Sequence, residues 1–248
     1  IITVNNTIGM EKPYYYRNKA QYPFGINKNG DKVFGIYAKR THEIIEIDDC
    51  KIQNPISEKM AREVLEFVRE NNISIYNEET GKGLVRHLIV KVGIKTNEVM
   101  CVIVLNGEKF EKEQEFVNIL LEKFNKDNKN EFKIKTIVKN INTKNTNVIL
   151  GDKNIVLYGD GYINDKLGKY IFKISPMSFY QTNPVQTEIL YNKAIEAAKL
   201  KKSDVVLDLY CGIGTIGIYA SSLVNKVYGI EIVEQAIEDA KENARINN

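Results

Sequence analysis

The stretch that most limits what this chain can fold into lies between residues 205 and 231. Val205-Val206-Leu207-Asp208-Leu209 is a short, nearly continuous apolar run that gives way at once to Tyr210-Cys211-Gly212-Ile213-Gly214-Thr215. A run of that length bounded by glycines reads as a strand buried in a parallel sheet, here over 205–210. The glycines let the backbone turn sharply and keep Cβ atoms out of the space before the next helix, whose free N–H groups favour a ligand. A helix over 215–222, a second strand over 226–232 and a second helix over 233–247 give a β-α-β-α order. That order is the opening of a doubly wound, Rossmann-like α/β sheet. Glu231 falls 17 residues after Gly214, at the end of the second strand. An acid there can accept hydrogen bonds from both hydroxyls of a ribose, so the pattern describes half of an adenosine-binding fold.

Which adenosine cofactor is a separate question. Gly212, Gly214 and Gly217 also satisfy the dinucleotide pattern G-x-G-x-x-G, which keeps an NAD-linked oxidoreductase open as a rival reading. Asp208 weighs against it, because a carboxylate near the turn repels a pyrophosphate but suits the sulfonium and amino group of S-adenosylmethionine. A third reading is a non-catalytic RNA-binding module whose glycine turn is purely structural.

Upstream, the pattern changes. Residues 1–50 mix aromatic and basic side chains with turn formers, and 33–38 and 43–47 read as short strands. Ser57, as an N-cap, precedes Met60, Val64, Phe67 and Val68 at helical spacing. The β-branched runs 84–92 and 98–105 predict a hairpin, and Phe116, Ile119, Leu120 and Phe124 share one face of a helix over 112–125. Strands over 132–138, 147–150, 155–158 and 170–175 complete an α+β unit. Asn183-Pro184 then caps and opens a long helix. Two units are expected: a central α+β domain over 1–180 and the first part of an α/β cofactor domain over 181–248. Two parallel strands cannot bury both of their faces, so a truncated sheet is expected. The Asn/Lys-rich patches 125–130 and 140–147 read as exposed loops.

Composition adds exclusions. No apolar run approaches the roughly 20 residues that a membrane-crossing helix needs, and residues 1–7 lack the pattern of a signal peptide. No membrane partner and a cytoplasmic location are therefore expected. A net charge of +3 permits a nucleic-acid partner without requiring one. The three cysteines, Cys50, Cys101 and Cys211, are odd in number and far apart, which argues against a disulfide framework.

Four blocks in register carry a family resemblance. They are Ser178-Phe179-Tyr180-Gln181-Thr182-Asn183 with Gln186 and Leu190-Tyr191, then Asp208 to Gly214, then Gly229-Ile230-Glu231, then Asp239-Ala240-Lys241-Glu242-Asn243-Ala244. Their order and spacing resemble the RNA 5-methyluridine methyltransferases, in particular bacterial enzymes acting on 23S ribosomal RNA. Tyr16-Arg17-Asn18-Lys19, Gly81 with Arg86-His87, and Asn140-Ile141-Asn142 with Thr146-Asn147 extend the similarity over nearly the whole chain.

The resemblance implies S-adenosylmethionine as cofactor, with Gln181, Tyr210, Thr215 and Glu231 contacting it beside Asp208, Gly212 and Gly214. It implies methyl transfer to C5 of uracil, a carbon too weakly nucleophilic to react unaided. In the family a cysteine thiolate adds to C6, and a base later removes the C5 proton. No cysteine here matches that nucleophile, so no catalytic residue is assigned; nucleophile and base are expected beyond Asn248. Cys211 reads as a small residue packed near the cofactor, and Cys101 as core. Cys50 stands where family members with a [4Fe-4S] cluster place their fourth ligand. The three partner cysteines are absent, so a cluster is expected only in a full-length protein. The RNA candidates are Arg17, Lys19, Arg86 and His87. Tyr14 to Lys19 with Tyr22 interleave aromatic and basic groups, which suits base stacking with phosphate contacts and equally suits a strand edge with solvated charges.

Overall fold

The computed structural model describes residues 4–126, 129 and 131–247. Part of the 125–130 patch, the start of the 1–7 segment and Asn248 thus lie outside the described residues.

The first part of the chain builds one large sheet. Its elements are β1 (Lys19–Ile26), β2 (Lys32–Tyr37), β3 (Ile44–Glu46), α1 (Pro55–Glu70), β4 (Val85–Gly93), β5 (Glu98–Leu105), α2 (Glu113–Leu121), β6 (Lys133–Ile141) and β7 (Lys153–Tyr158). The seven strands lie in the order β3-β2-β1-β4-β5-β6-β7. Neighbours are antiparallel except β5 and β6, which run parallel and are joined through α2, as a parallel pair needs a crossover.

β4 is buried at every position because both sheet faces are covered. On one face Leu88, Val90, Cys101 and Ile103 meet Met60, Val64 and Phe67 of α1 and Phe116 and Leu120 of α2. On the other, Ile89, Met100 and Val102 meet a second cluster that contains Ile163, Phe172, Tyr180, Tyr191 and Ile213. Cys101 lies wholly within the first cluster, and burial pushes its thiol pKa up.

The second cluster carries the rest of the chain. β8 (Ile163–Leu167) and β9 (Tyr170–Ile174) form a separate hairpin, followed by α3 (Pro184–Ala198), β10 (Val205–Leu209), α4 (Thr215–Ser221), β11 (Lys226–Ile230) and α5 (Glu234–Ile246). β10 and β11 pair in parallel, as the sequence predicts, with Leu207 opposite Tyr228 and Leu209 opposite Ile230. These four side chains share one face with Val205, and all five are exposed. The mixed α/β architecture matches the expected fold class. Among the described residues, no helix is long and apolar enough to cross a membrane.

Several local expectations change. Asn54, not Ser57, caps α1: its side chain accepts from the Ile56 N–H, and Pro55 opens the helix. Ser57 lies wholly buried inside it. Residues 147–150 form no strand; β7 begins at Lys153. The strand at 170–175 joins the separate hairpin rather than the large sheet. Within the 125–130 patch, Asn125 is no free loop amide, because its side chain bonds both N–H and C=O of Ile134. β1 and β8 are strands that the sequence pattern left unnamed.

Candidate cofactor site

The glycine turn between β10 and α4 has the backbone its sequence demands. Gly212 and Gly214 adopt φ of +54° and +83°, the left-handed region open to glycine, and Tyr210 is held there too at +62°. Gly229 on β11 supplies room of another kind, since a Cβ there would stand 2.9 Å from the Cys211 sulfur. Cys211 thus packs against the neighbouring strand, and burial raises its thiol pKa rather than lowering it. That environment is the opposite of an activated nucleophile's.

Two carboxylates brace the turn. Asp208 accepts a hydrogen bond from the Gly217 N–H at 2.9 Å, tying β10 to the first turn of α4. Burial raises its pKa. Glu231 accepts from the N–H groups of Gly212 at 3.1 Å, Ile232 at 2.8 Å and Val233 at 3.0 Å. The bonds from Val233 and Gly212 hold its carboxyl below the usual carboxylate range, so it is ionised at neutral pH. Tyr210, at the start of the turn, and Ile232, next to this acid in the chain, are 88% and 92% exposed, which leaves two apolar surfaces uncovered.

Thr215 is connected differently. Its hydroxyl lies 3.0 Å from the Tyr191 hydroxyl, so α3 is tied to the start of α4. Gln181 sits on the strap between β9 and α3, in a groove with Ile8, Asn183 and Leu190. Its carbonyl accepts from the Asn18 amide at 2.9 Å, and the Thr182 carbonyl accepts from the Asn18 N–H at 3.0 Å. Asp208, Gly212, Gly214 and Glu231 are therefore gathered at one turn, Thr215 adjoins them, and Gln181 makes no hydrogen bond to any of these among the described residues.

The strap and the turn are joined by side chains to which the sequence assigned no role. Lys91, on β4, is buried and donates to the carbonyls of Ser175 at 2.7 Å and Ser178 at 2.8 Å. Asp239, on α5, accepts from both serine hydroxyls, at 2.9 and 2.8 Å. Asn243, one turn further along α5, donates to the Ile213 carbonyl inside the glycine turn. The available signal was the spacing of Asp239, Asn243 and Asn247, which aligns three polar residues along the face of α5 that packs inward.

The RNA candidates are placed unequally. Arg17 and Lys19 are half-buried at the start of β1, and burial, followed by the charge of Arg17, lowers the Lys19 pKa. Arg86 and His87 are buried, only 3% and 6% exposed. Arg86 donates to the carbonyls of Asn142 and Lys144 and stacks over the Tyr76 ring at 4.1 Å.

Cys50 is half-buried, and its backbone N–H donates to Glu58. No group of three or more His, Cys, Asp or Glu suited to a metal ion occurs among the described residues. One thiolate cannot hold a four-iron cluster, so these residues do not by themselves fit one. An adenosyl ligand is different: an ionised acid bonded to a left-handed glycine turn, with the bare side chains of Tyr210 and Ile232 near it in the chain, fits a ribose with a flat base.

Comparison with known proteins decides the family. Residues 7–248 match the profile described as tRNA (Uracil-5-)-methyltransferase. The chain belongs to the tRNA (uracil-5-)-methyltransferase family. Among relatives of this family, an RNA methyltransferase of Caldanaerobacter subterraneus subsp. tengcongensis is 47% identical over 244 residues, covering 98% of this chain and 52% of the relative. One from Staphylococcus aureus (strain COL) is 46% identical with the same coverage. The chain thus spans about half the length of the family relatives it matches. The solved structure of Pyrococcus abyssi tRNA (uracil-54, C5)-methyltransferase in complex with S-adenosyl-L-homocysteine superposes with a TM-score of 0.75 at 27% identity, over 96% of this chain and 54% of that one.

Proposed function

We propose that this chain is the cofactor-binding and RNA-facing part of an S-adenosylmethionine-dependent RNA (uracil-5)-methyltransferase. The observation that carries the reading is the Glu231 carboxylate fixed on the Gly212 N–H, in a chain of this family. From there Glu231 would accept hydrogen bonds from the ribose hydroxyls, while Tyr210 and Ile232 would shield the base from water. Thr215, held by Tyr191, and Gln181, held by Asn18, would line the remainder. Asp208 acts as a brace that keeps α4 against β10, and its carboxylate would suit the positive charge of a sulfonium. The cofactor, when bound, supplies an electrophilic methyl group. The nucleophilic cysteine and the base belong to the length that the relatives have and this chain does not span.

The division into a central α+β domain over 1–180 and a cofactor domain beginning at 181 is part of the same proposal. So is the cover of the bare face formed by Val205, Leu207, Leu209, Tyr228 and Ile230, which we assign to further strands and helices of the doubly wound sheet. For the substrate we favour 23S ribosomal RNA, because the sequence around Cys50 resembles the ribosomal branch. Three free thiols accord with a reducing, cytoplasmic location.

The test is a methyl-transfer assay on the full-length protein, with labelled S-adenosylmethionine and separate 23S ribosomal and transfer RNA transcripts. The expected product is 5-methyluridine in the ribosomal transcript. Label confined to transfer RNA would refute the target, and no 5-methyluridine in either would refute the reaction.

A further inference from the structure

The open cavity lined by the ends of β1 and β2, the start of β4 and the 76–79 loop is remote in the chain from the glycine turn and has features the methyl-transfer site does not use. It measures about 730 Å³, within the roughly 300–1,000 Å³ typical of small-ligand sites. A β-bulge between Val85 and His87 interrupts the β4–β5 register, so Arg86 and His87, successive residues that regular pleating would send to opposite faces, both line this one cavity.

His87 is more than nine-tenths buried, yet neither ring nitrogen has a hydrogen-bond partner, and the Arg86 Nε–H is buried and equally unpaired. Unpaired polar groups in a buried setting are costly, and a bound molecule with complementary groups would relieve them. Burial, and then the charge of Arg86, lowers the His87 pKa to about 4. The ring is therefore neutral, with one donor and one acceptor.

The walls are flat. The Tyr37 ring stands 6.4 Å from His87, edge to face, and Tyr76 lies under the Arg86 guanidinium. Four carboxylates stand around the cavity, Glu79 among them; Glu43 pairs with Lys28, Glu46 with the Asn27 amide, and Glu78 with the Tyr37 hydroxyl and His42. Their charge opposes entry of a phosphate, while a neutral, planar molecule with adjacent donors and acceptors carries groups complementary to the unpaired ones.

We propose that this cavity receives one unstacked nucleobase of a single-stranded RNA segment, hydrogen-bonded by His87 and the Arg86 Nε–H and stacked on Tyr37, with its phosphates left outside. The assignment rests on the reading of the protein as an RNA enzyme and adds a second base-holding site.

The test uses the full-length protein and a fluorescent, mixed-sequence single-stranded RNA of about 12 nucleotides, a length within common single-strand site sizes. His87→Phe keeps the ring and removes both polar edges; Tyr37→Leu removes the stacking face. Each is expected to weaken RNA binding by about 5- to 100-fold while binding of S-adenosylhomocysteine stays within twofold of the parent. The same RNA carrying 5-iodouridine should photocrosslink to a peptide containing Tyr37 or Tyr76, a readout that needs no variant. RNA affinity unchanged in both variants, or crosslinks confined to other regions, overturns the site and leaves the methyltransferase reading intact. A parent protein that binds neither RNA nor S-adenosylhomocysteine overturns both.

Discussion

Asn243 pairs with Lys173 as a neighbouring strand would: its side-chain oxygen accepts the Lys173 N–H at 2.7 Å, and its amide reaches back to the Lys173 carbonyl at 3.3 Å. Asn247, one helical turn on, repeats the pattern with Ile171, at 2.9 and 2.6 Å. Helix α5 thus covers the free edge of β9 with side-chain amides in place of a backbone ladder. Because Asn243 also donates to the Ile213 carbonyl, the hairpin, the helix and the glycine turn share one wholly buried residue.

Replacing that residue should be felt in both stability and binding. Asn243→Ala removes three hydrogen bonds and strands buried backbone groups, at a cost of about 2–4 kcal/mol. Chemical denaturation of the parent and variant checks the number. Adenosyl-ligand affinity should fall in the same variant even at temperatures where it remains folded.

A second expectation concerns acid. His87 has a folded-state pKa near 4 against an ordinary value of 6.5, with burial as the main cause. The unfolded chain therefore takes up the proton first. This contribution to stability is complete above about pH 6.5 and is lost as the pH falls towards 4. Melting curves across that window should show a shallower acid dependence for His87→Phe than for the parent.

Lys91 should act in the same direction at higher pH. Burial lowers its pKa from 10.5 to about 7, with Lys19 adding to the effect and Asp239 opposing it. Between those values the unfolded chain keeps a proton that the folded chain has released, so stability rises as the pH climbs from about 7 towards 10.5. Lys91→Met should remove that rise. It should also speed amide hydrogen exchange in the 175–181 strap, whose Ser175 and Ser178 carbonyls lose their donor, and leave exchange in β5 unchanged.

These residues also mark where sequence reading stops. The β10–α4–β11–α5 order was legible because apolar runs, glycines and a helical period each carry a local signal. β1 was not, since Pro23 and Gly25 interrupt Lys19–Ile26 and weaken the strand pattern. Asn54-Pro55 has the same grammar as Asn183-Pro184, yet the apolar spacing starting at Ser57 masked it. Arg86 and His87 were RNA candidates through the family resemblance alone; that both line one cavity follows from a bulge that depends on strand pairing. Asp239 and Asn243 were visible as parts of a block, but the Ser175, Ser178, Lys173 and Ile213 groups they hold come from sequence positions 30 to 70 residues away and meet them only in the folded chain.

The central claim is that the glycine turn and Glu231 grip the adenosyl part of a methyl donor. Isothermal calorimetry of S-adenosylhomocysteine on full-length protein, parent against Glu231→Ala, with NAD as a control, tests it most directly. Binding to the parent, a loss of about tenfold or more in the variant, and no heat with NAD are expected. Equal affinity for S-adenosylhomocysteine in both proteins, or binding of NAD in its place, would contradict the account.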